Sequence, residues 1–206
     1  MNTKELKNIE KYAEEYNVPI MEKSSLKFML DYIRKNNIKS ILEIGTAIGY
    51  TAINMALVSE DIKITTIERN PDVYFEALKN VKIFGLEKRI TLVLADALNL
   101  ELNSKYDLIF IDAAKGQYIN FFEKYCVNLK DEGTIITDNI YFHGLVETKD
   151  NIESKNLRQL VSKIRNYIDF LKKHTEFITK FYKVGDGISV SKKVNKWQRC
   201  WYVQQV

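Results

Sequence analysis

Two apolar runs in this sequence stop abruptly at an acidic residue. Ile109-Phe110-Ile111 ends in Asp112-Ala113-Ala114-Lys115, and Ile135-Ile136-Thr137 ends in Asp138-Asn139. If these runs are neighbouring strands, Asp112, Asp138 and the Asn139 carbonyl form an all-oxygen ligand set. Such a set suits a hard cation, Mg²⁺, Mn²⁺ or Ca²⁺. Zinc is disfavoured, because no His or Cys lies near either run. The alternative is that each carboxylate caps the start of a following helix.

A second group lies upstream. Glu43-Ile44-Gly45-Thr46-Ala47-Ile48-Gly49-Tyr50-Thr51 closes a short apolar run and opens a helical pattern. Its two glycines, four residues apart, let a backbone come close to a ligand. It is not the Gly-x-Gly-x-x-Gly dinucleotide pattern, and no Gly-Lys-Ser/Thr follows to make a P-loop. A purely structural turn fits the same residues. Glu68, about twenty residues further on, stands where α/β nucleotide sites put a carboxylate that accepts bonds from ribose hydroxyls. Asp96-Ala97 follows the next apolar run, where a carboxylate and a backbone amide suit an adenine edge. Each also has a local reading: Glu68 pairs with Arg69, or Asp96 caps a turn.

Those groups need strands with free carboxyl ends, and the periodicity supplies them. Strand patterns cover 40–44, 64–68, 90–94, 106–111, 133–137, 176–182 and 187–191, with helical patterns at 50–58, 71–84, 116–129 and 152–172. Strands separated by helices predict a mainly parallel sheet. The last two strands, joined by a tight turn at Val184-Gly185-Asp186, predict an antiparallel hairpin. Two amphipathic helices, 3–16 and 22–35, precede the first strand, interrupted by Val18-Pro19-Ile20, and suit a lid or a dimer face. The fold class is therefore α/β.

Composition sets the bounds. The 206 residues are 46% hydrophobic and 28% charged, enough to bury a core without disulfides or a structural metal. Cys126 and Cys200 are too few for a disulfide framework, so a reducing, cytoplasmic setting is expected. The Lys- and Glu-laced first 16 residues lack a signal core, and no apolar run approaches the ~20 residues of a membrane span. Charge is uneven: residues 1–148 carry −4 and residues 149–206 carry +8. A basic C-terminal quarter fits either a phosphate-facing surface or a solvated helix face.

Taken together, the strings 41–51, Thr66-Ile67-Glu68-Arg69-Asn70, 110–118 and Ile136-Thr137-Asp138-Asn139 resemble the cation-dependent O-methyltransferases related to the catechol and caffeoyl-CoA enzymes. Within that family the chain is most similar to the bacterial branch that methylates 5-hydroxyuridine at the tRNA wobble position. The resemblance runs from about Lys11, through 18–23, to Gly185-Asp186-Gly187 and Ser191-Lys192-Lys193. It implies a Rossmann-like class I methyltransferase fold with a seven-stranded, mostly parallel sheet, a terminal antiparallel hairpin and helices on both faces. One domain would span 1–193, with N-terminal helices in 1–36 and an unassigned tail at 194–206.

The resemblance also implies roles. Glu43, Gly45, Gly49 and Thr51 match the S-adenosylmethionine loop, with Thr51 where relatives often have Ser, and Met21 closes over the cofactor. Glu68 matches the ribose acid, and Asp96 with Ala97 the adenine contact. Asp112, Asp138 and Asn139 match the ligands of Mg²⁺ (or Mn²⁺/Ca²⁺), Asp112 also lying near the cofactor's amino group. Lys115, three residues after Asp112, matches the family's general base. The implied acceptor is the tRNA anticodon loop, whose 5-hydroxyuridine offers two vicinal oxygens to one cation as a catechol does; a small catechol is the alternative acceptor. A homodimer is implied as well, and no membrane partner. His143 and His174 read as surface or packing residues. Tyr118, Phe121, Phe122 and Tyr125 read as core or dimer contacts at helical spacing, with Tyr118 alone reaching substrate. Tyr141-Phe142-His143-Gly144 suits the acceptor entrance, where an aromatic face can stack on a flipped base.

Overall fold

Short β-branched runs bounded by turn residues become strands, and the amphipathic stretches between them become helices. The computed structural model describes residues 3–148 and 152–194; Trp197, Cys200, Trp201 and the rest of the predicted tail beyond Val194 lie outside the described residues. In chain order the elements are α1 (Thr3–Glu15), α2 (Lys23–Lys35), β1 (Ser40–Ile44), α3 (Tyr50–Ala56), β2 (Lys63–Glu68), α4 (Pro71–Ile83), β3 (Ile90–Leu94), β4 (Tyr106–Ile111), α5 (Tyr118–Tyr125), β5 (Leu129–Thr137), α6 (Lys155–Lys173), β6 (Phe177–Tyr182) and β7 (Ile188–Lys193). The strands form one mixed sheet in the order β3-β2-β1-β4-β5-β7-β6. β1, β2 and β3 pair in parallel, as do β4 and β5, while β7 runs antiparallel to both β5 and β6. The predicted parallel sheet with a terminal hairpin is the observed one. No helix among the described residues is long and apolar enough to cross a membrane.

The chain divides into two compact units, Met1–Leu102 and Asn103–Val206. In the first, Ile41, Leu42 and Ile44 of β1 are buried with Met29 and Ile33 of α2 and Ile53 of α3. Asn70 caps α4 by accepting from Asp72 N at 2.9 Å, and Pro71 takes the first helical position, where its missing N–H costs nothing. α1 is tied to α3 by one carboxylate: Glu10 accepts from the Tyr50 hydroxyl at 2.7 Å and from Lys23 Nζ at 3.0 Å.

The second unit has an aromatic core. Phe122 of α5 packs against Phe177 of β6 and Phe170 of α6, with ring centroids 4.9 and 5.4 Å apart, and Tyr118 meets Tyr167 at 5.3 Å. His174 sits in this cluster, 5.0 Å from Phe177, and its Nδ1 accepts from Glu176 N. Its predicted packing role is the one it has.

The helix predicted over 116–129 is shorter and broken. A 3-10 turn, Lys115–Gln117, leads into α5, a second, Cys126–Asn128, follows it, and Leu129 already belongs to β5. Tyr106 pairs with Leu129, yet Leu108 pairs with Thr134, so a bulge occupies the intervening stretch of β5, where Glu132 has φ +61°. A bulge breaks the alternation that would have announced the strand. α6 likewise starts at Lys155 rather than 152, because Ser154 accepts from Leu157 N and Arg158 donates to the Ile152 and Glu153 carbonyls.

Gly187 has φ +88°, and a Cβ there would lie 2.7 Å from Tyr141 Cγ. Gly187→Ala is expected to cost about 1–3 kcal/mol, combining left-handed strain with overlap, and to lower the thermal midpoint by several degrees. Glu10 offers a pH test. The Tyr50 hydroxyl, then Lys23, holds its carboxyl below the usual range. A depressed folded-state pKa contributes stability above the unfolded value, roughly pH 4.3, and loses it as pH falls toward the folded value. The difference in thermal midpoint between wild type and Glu10→Gln should therefore shrink as pH drops from about 6 to about 3.

Candidate active site

In the first unit the glycine-containing turn is held from below by side chains. Thr66 donates to Glu43 Oε2 at 2.5 Å and accepts from Thr46 at 2.6 Å, since its one hydrogen is committed to the carboxylate. Glu43, Thr46 and Thr66 are all buried, so the predicted cofactor residue Glu43 acts here as the base of a network under the loop. Gly45, Ala47 and Gly49 all have positive φ, +101°, +46° and +82°. Gly45 N donates to Ile67 O and Gly49 N to Thr46 O, which folds the turn back on the strand end. Thr51 sits in the first turn of α3, buried, and Met21 is buried just ahead of α2.

Glu68 joins this turn directly. Its Oε2 accepts from Ala47 N at 2.9 Å, and its Oε1 accepts from the backbone N–H groups of Arg69 and Asn70. The ion pair with Arg69 is therefore replaced by a bond from that residue's main chain. Oε2 keeps a lone pair for a ligand hydroxyl. Ala95 N donates to Glu68 O at 2.9 Å, which brings Asp96 and Ala97 to the same strand end. Asp96 Oδ1 accepts from Leu98 N at 2.8 Å, so the turn-capping reading holds, with Oδ2 left over.

The second unit brings together Asp112, Lys115, Asp138 and Asn139. β4 and β5 are in register with Ile111 opposite Thr137, so Asp112 and Asp138 are the next residues off two adjacent parallel strands. Asp138 N donates to Ile111 O at 3.3 Å, and Asp138 Oδ1 accepts from Asn139 N at 2.8 Å. Lys115 Nζ donates to Asn139 Oδ1 at 2.8 Å. Asp138 is 1% exposed. Burial, then repulsion from Asp112, pushes its carboxyl up to about 7; burial also raises Asp112, against the pull of Lys115.

A buried carboxyl and a half-buried one that repel each other, beside an amide oxygen with a second lone pair, are a donor set for a hard divalent cation. Among the described residues no cluster of three or more His, Cys, Asp or Glu side chains forms. A cation here would rely on Asp112, Asp138 and Asn139, with solvent or ligand oxygens completing its shell. The residues present fit such an ion.

Tyr118 departs from the sequence reading. It is 1% exposed, and its hydroxyl donates to Asp138 O at 3.0 Å, so it braces the acidic pair from inside and does not reach an acceptor. Burial is also the first cause raising its own pKa. Phe121, Phe122 and Tyr125 are buried as well. Asp186 was visible only as a turn residue: it is 8% exposed, its carboxylate accepts from His143 N, and its carbonyl accepts from Tyr141 N. His143 itself is largely exposed, with Nδ1 3.8 Å from Asp186 Oδ2. The signal was the Gly-Asp-Gly string, which reads as a turn without showing what the carboxylate holds.

Comparison with known proteins bears on this arrangement. A crystal structure from Staphylococcus aureus, of a protein provisionally named a caffeoyl-CoA O-methyltransferase, superposes with a TM-score of 0.88 at 39% identity, covering 92% of each chain. Caffeoyl-CoA O-methyltransferase of Stellaria longipes is 28% identical over 206 residues, covering 92% of this chain and 83% of the plant protein. The O-methyltransferase of Bacillus cereus, solved in complex with SAH, shares the fold with a TM-score of 0.80 at 23% identity, covering 93% of this chain and 91% of its own. A sequence model of the O-methyltransferase family matches residues 2–194. With that match spanning nearly every element described above, the chain belongs to the O-methyltransferase family.

Proposed function

We propose that this protein transfers a methyl group from S-adenosylmethionine to a hydroxyl of a small acceptor with two vicinal oxygens, of the catechol or caffeoyl-CoA type, assisted by a divalent cation. The observation that carries this reading is the Asp112–Asp138 pair at adjacent strand ends, with Asn139 and Lys115 beside it. The names of the relatives point the same way.

S-adenosylmethionine supplies a methyl on a sulfonium sulfur, so that forming the O–CH₃ bond breaks the S–CH₃ bond and discharges the sulfonium. A divalent cation held by Asp112, Asp138 and Asn139 supplies the charge that lowers an acceptor hydroxyl's pKa and fixes its position. Glu68, preset by three backbone N–H groups, accepts from ribose hydroxyls through Oε2. Asp96, with Ala97 beside it, meets the adenine edge through the oxygen its turn leaves unused. Lys115, when Nζ is the free amine, takes the acceptor proton there, and its bond to Asn139 Oδ1 holds that nitrogen beside the acidic pair.

A second acceptor, 5-hydroxyuridine at the tRNA wobble position, is favoured by one observation. α6 carries six Lys and Arg against the single acid Asp169, locating most of the C-terminal charge excess on one helix. Such a helix suits a polyanion, with attraction that weakens as salt rises.

Labelled methyl transfer should be measured on caffeoyl-CoA, a catechol and tRNA carrying wobble 5-hydroxyuridine, each with and without Mg²⁺ or Mn²⁺. Cation-dependent labelling of the small acceptors is expected; labelling of tRNA alone would make the second reading the right one, and labelling of none would overturn both. Asp138→Asn should lose at least about 100-fold in turnover and lose any rise in thermal midpoint on adding the cation. The apo variant should be no less stable than wild type, because one of two repelling buried charges is gone. Lys115→Ala should lower kcat by roughly 10²- to 10⁴-fold while S-adenosylmethionine affinity stays within about twofold.

A further inference from the structure

The 141–148 segment leaves the acidic pair immediately after Asn139 and is held in an unusual conformation. Asn139, Phe142, His143 and Gly144 all have positive φ, +57°, +45°, +53° and +77°. Non-glycine residues resist that region, so the segment keeps its shape only if its surroundings impose it. It coils into a single tight turn: Leu145 N donates to Phe142 O, Val146 N to Tyr141 O, and Glu147 N and Thr148 N to Gly144 O.

Arg165 of α6 bonds to three carbonyls of this segment. Its Nε donates to Val146 O at 3.0 Å, and its Nη2 to Leu145 O at 3.3 Å and Thr148 O at 2.8 Å. One planar fork thus takes three carbonyls at the end of the turn, which a point-charge ammonium cannot do. The opposite end is held by Asp186 on His143 N, and Lys183 pairs with Glu147 at 2.7 Å. What the clamp keeps in place faces the candidate site: the Phe142 ring lies 5.8 Å under Lys115 Nζ, the group bonded to Asn139.

We propose that Arg165 is a positioning residue for the acceptor: it fixes the 141–148 segment so that Phe142 stands against Lys115 and walls the acceptor side. The inference rests on the O-methylation reading above. It assigns to α6 a role in acceptor binding that its basic composition alone does not reveal, and it leaves the cofactor residues of the first unit untouched.

The test uses the full chain with Arg165→Ala and Arg165→Lys, read by amide hydrogen exchange, S-adenosylmethionine affinity and steady-state kinetics on whichever acceptor wild type methylates. In Arg165→Ala the amides of 145–148 should exchange roughly tenfold faster or more, and acceptor KM should rise about tenfold, with S-adenosylmethionine affinity within about twofold. Arg165→Lys should fall close to Ala, since charge without the fork does not hold three carbonyls. Unchanged exchange and KM in Arg165→Ala would overturn the proposal, as would full rescue by Lys or an equal loss of cofactor affinity. If wild type methylates no acceptor, the functional reading fails; the exchange measurement still judges the clamp, which fails if those amides keep wild-type rates.

Discussion

Two carboxyls set side by side at the ends of adjacent strands are the constraint on which the second unit depends. The β4–β5 register puts Asp112 and Asp138 side by side off the ends of parallel strands. Burial raises the cost of charging each of them, and repulsion from Asp112 adds to it at Asp138. Left alone, such a pair destabilises the fold. Its persistence is understandable if a cation completes it, because a metal turns the same repulsion into affinity.

Much of the surrounding structure serves to keep that pair from moving. Tyr118 reaches from α5 to the Asp138 carbonyl, and behind it the rings of Phe122, Tyr167, Phe170 and Phe177 fill the space between α5, α6 and β6. Thr137, the residue before Asp138, bonds the Tyr167 hydroxyl at 2.7 Å. Large buried rings with few rotamers make a stiff support, and stiffness is what a site needs when its groups repel one another.

The first unit handles carboxylates at strand ends in the opposite way. Glu68 ends β2 and Asp96 lies two residues past β3, and backbone N–H groups bond to them: three to Glu68, one to Asp96. A carboxylate so held is fixed in orientation and set to accept from hydroxyl or amino groups. The strand ends thus yield a preset acceptor at Glu68, held by three amides, and a repelling pair of carboxyls at Asp112 and Asp138.

The primary structure carried the order of elements and the identity of the polar residues at strand ends, because strand length, periodicity and the abrupt change from apolar to acidic are local properties. Hence β3 and β4 begin and end where the periodicity puts them, and Asp112, Asp138 and Glu68 stand out unaided. It could not show that Leu129 already belongs to β5, since a bulge at Glu132 erases the alternation, nor that Tyr118 turns inward, since helical spacing does not say which polar tip finds a carbonyl. It left Glu68 undecided between a ribose and Arg69, and Asp96 between an adenine and a turn, and it could not show the backbone amides that bond to both carboxylates. Arg165 was one cation among thirteen Lys and Arg in the final 58 residues. Only the tertiary structure brought three carbonyls, twenty residues or fewer away, within its reach, because hydrogen bonds of that kind are decided by where two elements meet and not by what either one contains.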